Sequence, residues 1–156
     1  MKITLLVNGK TTDTRIRTLI DEYRQRLIHY VPFEFVVLPD LKNAKSLTEE
    51  QVKTAEGEAI LRYLTPSMDV LLLDEHGREF RSIEFADFLQ RKMSAGRDLV
   101  LIIGGPYGLA QDIRKQADLL WSLSKLTFTH EIARLLLFEQ LFRVLNLNAG
   151  GHYHNA

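Results

Sequence analysis

The sequence alternates short apolar runs with stretches of helical period, and that alternation constrains the fold more than any other feature. Ile3 to Val7 is apolar and stops at Asn8-Gly9, a turn signal. Ile16, Leu19, Ile20, Tyr23 and Leu27 then recur at helical spacing; Asp13 or Thr14 can cap that helix and Pro32 bars its continuation. Phe33 to Leu38 is β-branched and aromatic, and it stops at Pro39-Asp40. Thr48 with Gln51 forms a capping box for a helix that runs toward Tyr63. Val70 to Leu73 and Leu99 to Ile103 are dense apolar strands, separated by a helix that Ser82 can cap and that ends near Gly96. A helix from about Gln111 to Leu119, a fifth strand over Trp121 to Leu126, and a last helix from Thr129 to about Asn146 complete the order. Continuous apolar strands alternating with helices imply an α/β fold: a mostly parallel sheet with helices on both faces. The length of 156 residues fits a single domain over 1–156.

Composition excludes several classes of protein. With 46% hydrophobic and 26% charged residues the chain is not a disordered one. It has no Cys, so a disulfide scaffold, a thiolate metal site and a Cys nucleophile are all excluded. Its five His are scattered, with no pair at helical metal-ligand spacing, so no metal is expected. No apolar run reaches the ~20 residues that span a bilayer, and no cleavable leader is visible; a soluble, cytoplasmic protein with no membrane partner is expected. Lys and Arg number 20, and so do Asp and Glu. That balance counts against a protein that grips nucleic acid by charge alone, and no DNA partner is expected.

In parallel α/β sheets, ligands bind beyond the carboxyl ends of strands. Three segments qualify. Gly104-Gly105-Pro106-Tyr107-Gly108 follows the most apolar strand, and glycines there let backbone approach a ligand. It matches neither the dinucleotide fingerprint nor the P-loop, and a plain tight turn explains it equally well. Asp74-Glu75-His76 places an acid and a base after another strand; a polar surface loop is the alternative. Leu123, Ser124, Lys125, Leu126, Thr127, Phe128, Thr129 and His130 mix hydroxyls with apolar side chains, which suits a pocket for an uncharged ring, or else an edge strand and a helix cap. The last helix is apolar nearly all round, from Ile132 to Leu145, which fits a dimer interface or a central core helix.

Taken together, Leu-Leu-Asp at 72–74, Ile-Gly-Gly-Pro-Tyr-Gly at 103–108, Leu-Ser-Lys-Leu-Thr-Phe-Thr-His at 123–130, Glu-Gln-Leu-Phe-Arg at 139–143 and the terminal Tyr153-His154 resemble the ribosomal RNA large subunit methyltransferase H family of the SPOUT superfamily. The resemblance implies a SPOUT-type sheet with a C-terminal trefoil knot, working as a homodimer. It implies transfer of a methyl group from S-adenosyl-L-methionine to N3 of a pseudouridine in large-subunit ribosomal RNA, on the assembled ribosome. Carried over residue by residue, it gives a cofactor pocket of Leu73, Gly104, Leu123, Ser124, Lys125, Leu126, Thr127 and Phe128. His154 with Tyr153 is expected to close over the target base and assist its deprotonation or orientation, with His130 as an alternative base. Two positions depart from the family pattern: Gly151 stands where many members have His, and Asn155 where they have Arg. The competing expectations are a non-catalytic ribosome-associated binding module and a small nucleotide-binding α/β enzyme.

Overall fold

The computed structural model describes residues 1–155. Five strands form one parallel sheet: β1 (Ile3–Asn8), β2 (Phe33–Leu38), β3 (Met68–Glu79), β4 (Asp98–Ile103) and β5 (Leu119–Ser122), in the order β2-β1-β4-β3-β5. The helices are α1 (Thr14–Leu27), α2 (Glu49–Tyr63), α3 (Ser82–Ala95), α4 (Gln111–Gln116) and α5 (His130–Asn148).

The two-residue period of a strand divides the core into two layers. Ile3, Leu5, Val7, Leu71, Leu99 and Leu101 face one side and pack with Ile20 of α1, Phe85 and Leu89 of α3, and Leu137, Phe138 and Leu141 of α5. Leu6, Val70, Leu72, Val100 and Ile102 face the other side and pack with Ile60 of α2 and Ile113 of α4. Both faces are covered, which is why these strands read as unbroken apolar runs. The apolar final helix is explained within one chain. It lies on the sheet between α1 and α3, with Ala133, Leu137, Phe138, Leu141, Phe142, Val144 and Leu145 all buried.

The expected helix starts hold in their chemistry. Asp13 caps α1 by accepting from the N–H groups of Arg15 and Ile16 at 2.9 and 3.3 Å. Thr48 and Gln51 form the reciprocal capping box of α2. Thr129 accepts from Ile132 N–H at 3.3 Å and opens α5.

Four expectations need correction. Arg81, not Ser82, precedes α3; Ser82 is already helical and its hydroxyl donates to Gln140 at 3.0 Å. α4 stops at Gln116 rather than Leu119, because Asp118 N–H donates to Val70 and Leu119 joins the sheet. β5 is Leu119–Ser122, not Trp121–Leu126. Its end is set by the Ser122 hydroxyl donating to the Ser124 carbonyl and by Ser124 Oγ accepting from Leu126 N–H, which turn the chain off the sheet. Finally, β3 does not stop at Leu73. It pairs with β5 through Leu73–Trp121, bulges over residues 74–77, and resumes with Arg78–Trp121 and Glu79–Ser122.

Gly77 makes that bulge possible. A Cβ there would lie 2.5 Å from the backbone carbonyl of Leu120, a separation no side chain tolerates. The glycine lets β3 return onto β5 and pushes Asp74, Glu75 and His76 outward at the carboxyl end of the sheet. No described helix is long and apolar enough to cross a membrane.

Candidate functional site

A cleft of about 910 Å³ opens at the carboxyl ends of β1, β3, β4 and β5. Each wall comes from a segment that follows a strand. The β3 bulge gives Leu73, Asp74, Glu75 and His76; the turn after β4 gives Gly104, Gly105, Pro106 and Gly108. The segment after β5 contributes Leu123, Ser124, Leu126, Thr127, Phe128 and Thr129, the head of α5 His130 and Glu131, and the start of α1 Asp13 and Ile16.

Local chemistry holds these walls together. Asp74 is paired with Arg114 of α4, and its side chain is only 8% exposed. Thr127 donates its hydroxyl to Glu75 at 3.2 Å, joining the segment after β5 to the bulge. Glu131 accepts from the N–H groups of Thr12 and Asp13 at 2.9 and 3.0 Å and from the Thr12 hydroxyl at 2.7 Å. Arg134 is fully buried and donates to the Asn8 carbonyl and to Thr11. The β1–α1 connection is thus held from α5 by an acid and a base one turn apart. Gly104 allows the turn after β4 to fold back on itself, since a Cβ there would meet Leu109 Cγ at 2.7 Å.

The electrostatics follow from these contacts. Burial, reinforced by the Arg134 charge, holds His130 below the usual histidine range, so the half-buried imidazole is neutral at pH 7. The N–H of Asp13 is the largest influence on Glu131 and holds its carboxyl below the usual carboxylate range. Arg15, with the N–H of Ile16, draws Asp13 down to about 2.

Of the residues expected to hold a cofactor, Leu73, Gly104, Leu123, Ser124, Leu126, Thr127 and Phe128 all line this cleft. Lys125 does not; it is exposed and lies outside the lining. His130 is in the cleft, while Tyr153 and His154 lie elsewhere. Tyr153 packs on Phe142 at 4.8 Å and donates to Glu139 at 3.1 Å; the His154 Nδ1 is 3.3 Å from Arg143. Along α5, His130 lies about 14 Å from Glu139 and about 20 Å from Arg143 at 1.5 Å per residue. One chain therefore holds its tail off its own cleft, folded back against the middle and second half of α5. Sequence reading missed Arg114 and Glu131 as parts of the site; Arg134, which with Arg24 and Arg26 could have offered positive charge to RNA, is instead fully buried behind the cleft wall. Only the hydroxyl-rich run before α5 hinted that the helix head faces a ligand.

The fold and the cleft define a class. A family model described as "Predicted SPOUT methyltransferase" matches residues 1–154. The SpoU methyltransferase AviRb from Streptomyces viridochromogenes, solved in complex with the cofactor AdoMet, shares the fold with a TM-score of 0.50 at 17% identity. That match covers 96% of this chain and 58% of the other. Closer relatives carry one name. Ribosomal RNA large subunit methyltransferase H of Phocaeicola vulgatus is 49% identical over 156 residues, covering 99% of each chain. The protein of that name from Bacteroides thetaiotaomicron is 46% identical, and that from Flavobacterium psychrophilum 44%, each again covering 99% of both chains. The chain belongs to the SPOUT methyltransferases and, among them, to the ribosomal RNA large subunit methyltransferase H family.

Proposed function

We propose that this chain methylates N3 of a pseudouridine in large-subunit ribosomal RNA, using S-adenosylmethionine, on the assembled ribosome in the cytoplasm. The reading includes a single SPOUT domain with a C-terminal trefoil knot, acting as a homodimer. One observation carries it: the three motif-bearing segments, far apart in sequence, converge on one cleft at the strand ends. The names of the relatives support the RNA substrate, and the cofactor in the AviRb complex supports S-adenosylmethionine.

The cleft fits that cofactor. Its volume of about 910 Å³ suits a ligand of this size. Leu73, Ile103, Leu123 and Phe128 offer apolar walls for an adenine ring. Residues 123–129 are neither strand nor regular helix, so their backbone groups can meet the ring edge. When bound, S-adenosylmethionine supplies an electrophilic methyl group on a sulfonium. The chain's own residues must then orient the target and manage one proton, because an imide nitrogen is protonated at neutral pH. His130, neutral and at the cleft wall, can accept that proton. His154 and Tyr153 serve the same step through a dimer in which the tail of one copy reaches the cleft of the other; their distance from their own cleft supports that arrangement.

Charge shapes the choice of substrate. With equal numbers of acidic and basic residues, the chain has no basic excess with which to hold naked RNA, so the ribosome presents the target. The test uses ribosomes from a strain lacking the modification, with labelled S-adenosylmethionine. Methyl incorporation into ribosomes, with little into the isolated stem-loop, is expected. No incorporation despite measured cofactor binding would instead mean a non-catalytic binding module.

A further inference from the structure

Four carboxylates line the cleft: Asp13, Asp74, Glu75 and Glu131. Three have a cationic or protonatable partner: Asp13 has Arg15 at 2.9 Å, Asp74 has Arg114, and Glu75 has His76 at 3.4 Å. Glu131 has none within 4.0 Å among the described residues. Its Oε1 accepts two backbone N–H groups and its Oε2 one hydroxyl, which fix its orientation at the wall. Those donors, aided by the positive end of α5, keep it ionised. Arg134, one turn further on, is sealed behind the wall, where it donates to Asn8 and Thr11 and makes no ion pair with Glu131. Glu131 keeps part of its surface open to the cleft, so a ligand that brings positive charge and N–H donors gains a charge-assisted bond by meeting it.

We propose that Glu131 is the counter-charge for the α-ammonium group of S-adenosylmethionine. This rests on the cofactor reading above. The ammonium suits the site better than the sulfonium, because it carries N–H donors that a carboxylate accepts. The sulfonium carries none, and its methyl must stay open to the incoming nucleophile. Position agrees: Glu131 lines the same cleft as the 123–129 segment that would hold the adenine, two residues beyond its end, where the amino-acid arm of the same molecule can meet it.

The test is calorimetry on the full chain and on Glu131→Gln. Glutamine can keep both N–H acceptor bonds and donate to Thr12, so the loop stays in place while the charge is removed. Three ligands separate the groups. S-adenosylmethionine has both cations, S-adenosylhomocysteine has only the ammonium, and methylthioadenosine has neither. The substitution is expected to weaken the first two about tenfold or more, as loss of a charge-assisted bond does, and to leave methylthioadenosine within about twofold. Equal loss for all three ligands would make Glu131 a structural residue, and loss for S-adenosylmethionine alone would assign it to the sulfonium; either overturns the proposal, as does no loss at all. If the unsubstituted chain bound none of the three, the cofactor reading would itself fail, and this assignment with it. Retained binding of methylthioadenosine by the variant shows that it is folded.

Discussion

Arg134 of α5 donates to the carbonyl of Asn8, at the end of β1, over 2.8 Å and across 126 residues of sequence. The same guanidinium reaches the Thr11 hydroxyl at 3.1 Å, and its Nε has no partner. A fully buried arginine with no carboxylate in ion-pair range is unusual, since desolvating a guanidinium is expensive. It ties the head of α5, which carries His130, to the connection that carries Asp13.

Arg134→Met should therefore cost about 3 kcal/mol of folding stability. It strands a buried carbonyl and a buried hydroxyl together. Urea unfolding of the two proteins measures this, and a loss below about 0.5 kcal/mol would mean that the guanidinium contributes no net stabilisation.

Gly77→Ala tests the bulge in β3. The added methyl must displace the Leu120 backbone, so about 1–3 kcal/mol of destabilisation is expected. Because the bulge carries Asp74 and Glu75 to the cleft, cofactor affinity should fall as well. A variant with unchanged stability and affinity would show that β3 and β5 separate there without consequence.

Acid should loosen the start of α1 late. Asp13 titrates at about 2 in the folded chain against 3.8 ordinarily, so its stabilising contribution is present above pH 3.8 and is lost as pH falls toward 2. The amide shift of Ile16, followed by NMR, should move with a midpoint near 2; a midpoint near 3.8 would mean that the Arg15 and Ile16 contacts do not persist in solution.

Deleting residues 152–156 should remove turnover and spare cofactor binding. Tyr153 and His154 touch Phe142, Glu139 and Arg143 and contribute nothing to the cleft of their own chain. An S-adenosylmethionine affinity within about threefold, with ribosome methylation down at least about a hundredfold, is expected; this loss is of the size that general acid–base groups contribute. Unchanged turnover would remove the tail from the reaction.

Much of this was legible in the sequence, and the exceptions have a common cause. The caps at Asp13, Thr48 and Thr129 are local, so residue type and spacing reveal them. The parallel sheet shows in its unbroken apolar strands. The end of β5 depends on hydroxyl turns at Ser122 and Ser124, which compete with strand pairing and outweigh the apolar Leu123 and Leu126. The second half of β3 is polar and reads as a turn; only its close approach to Leu120 makes it a strand. Glu131 and Arg134 act on residues more than a hundred positions away, and nothing local distinguishes them from solvent-facing helix residues. Apart from Lys125, the cofactor residues grouped by motif meet in one cleft, whereas the tail, grouped with them by motif, packs against residues 139–143 of α5, outside that cleft.

The most direct measurement is nucleoside analysis of ribosomal RNA after incubating the protein and S-adenosylmethionine with ribosomes that lack the modification. The expected result is a single new methyl group on N3 of a pseudouridine in the large-subunit RNA, formed on assembled ribosomes and nearly absent on protein-free RNA. A methyl on any other atom or nucleotide, or equal methylation of the free RNA, would contradict this account.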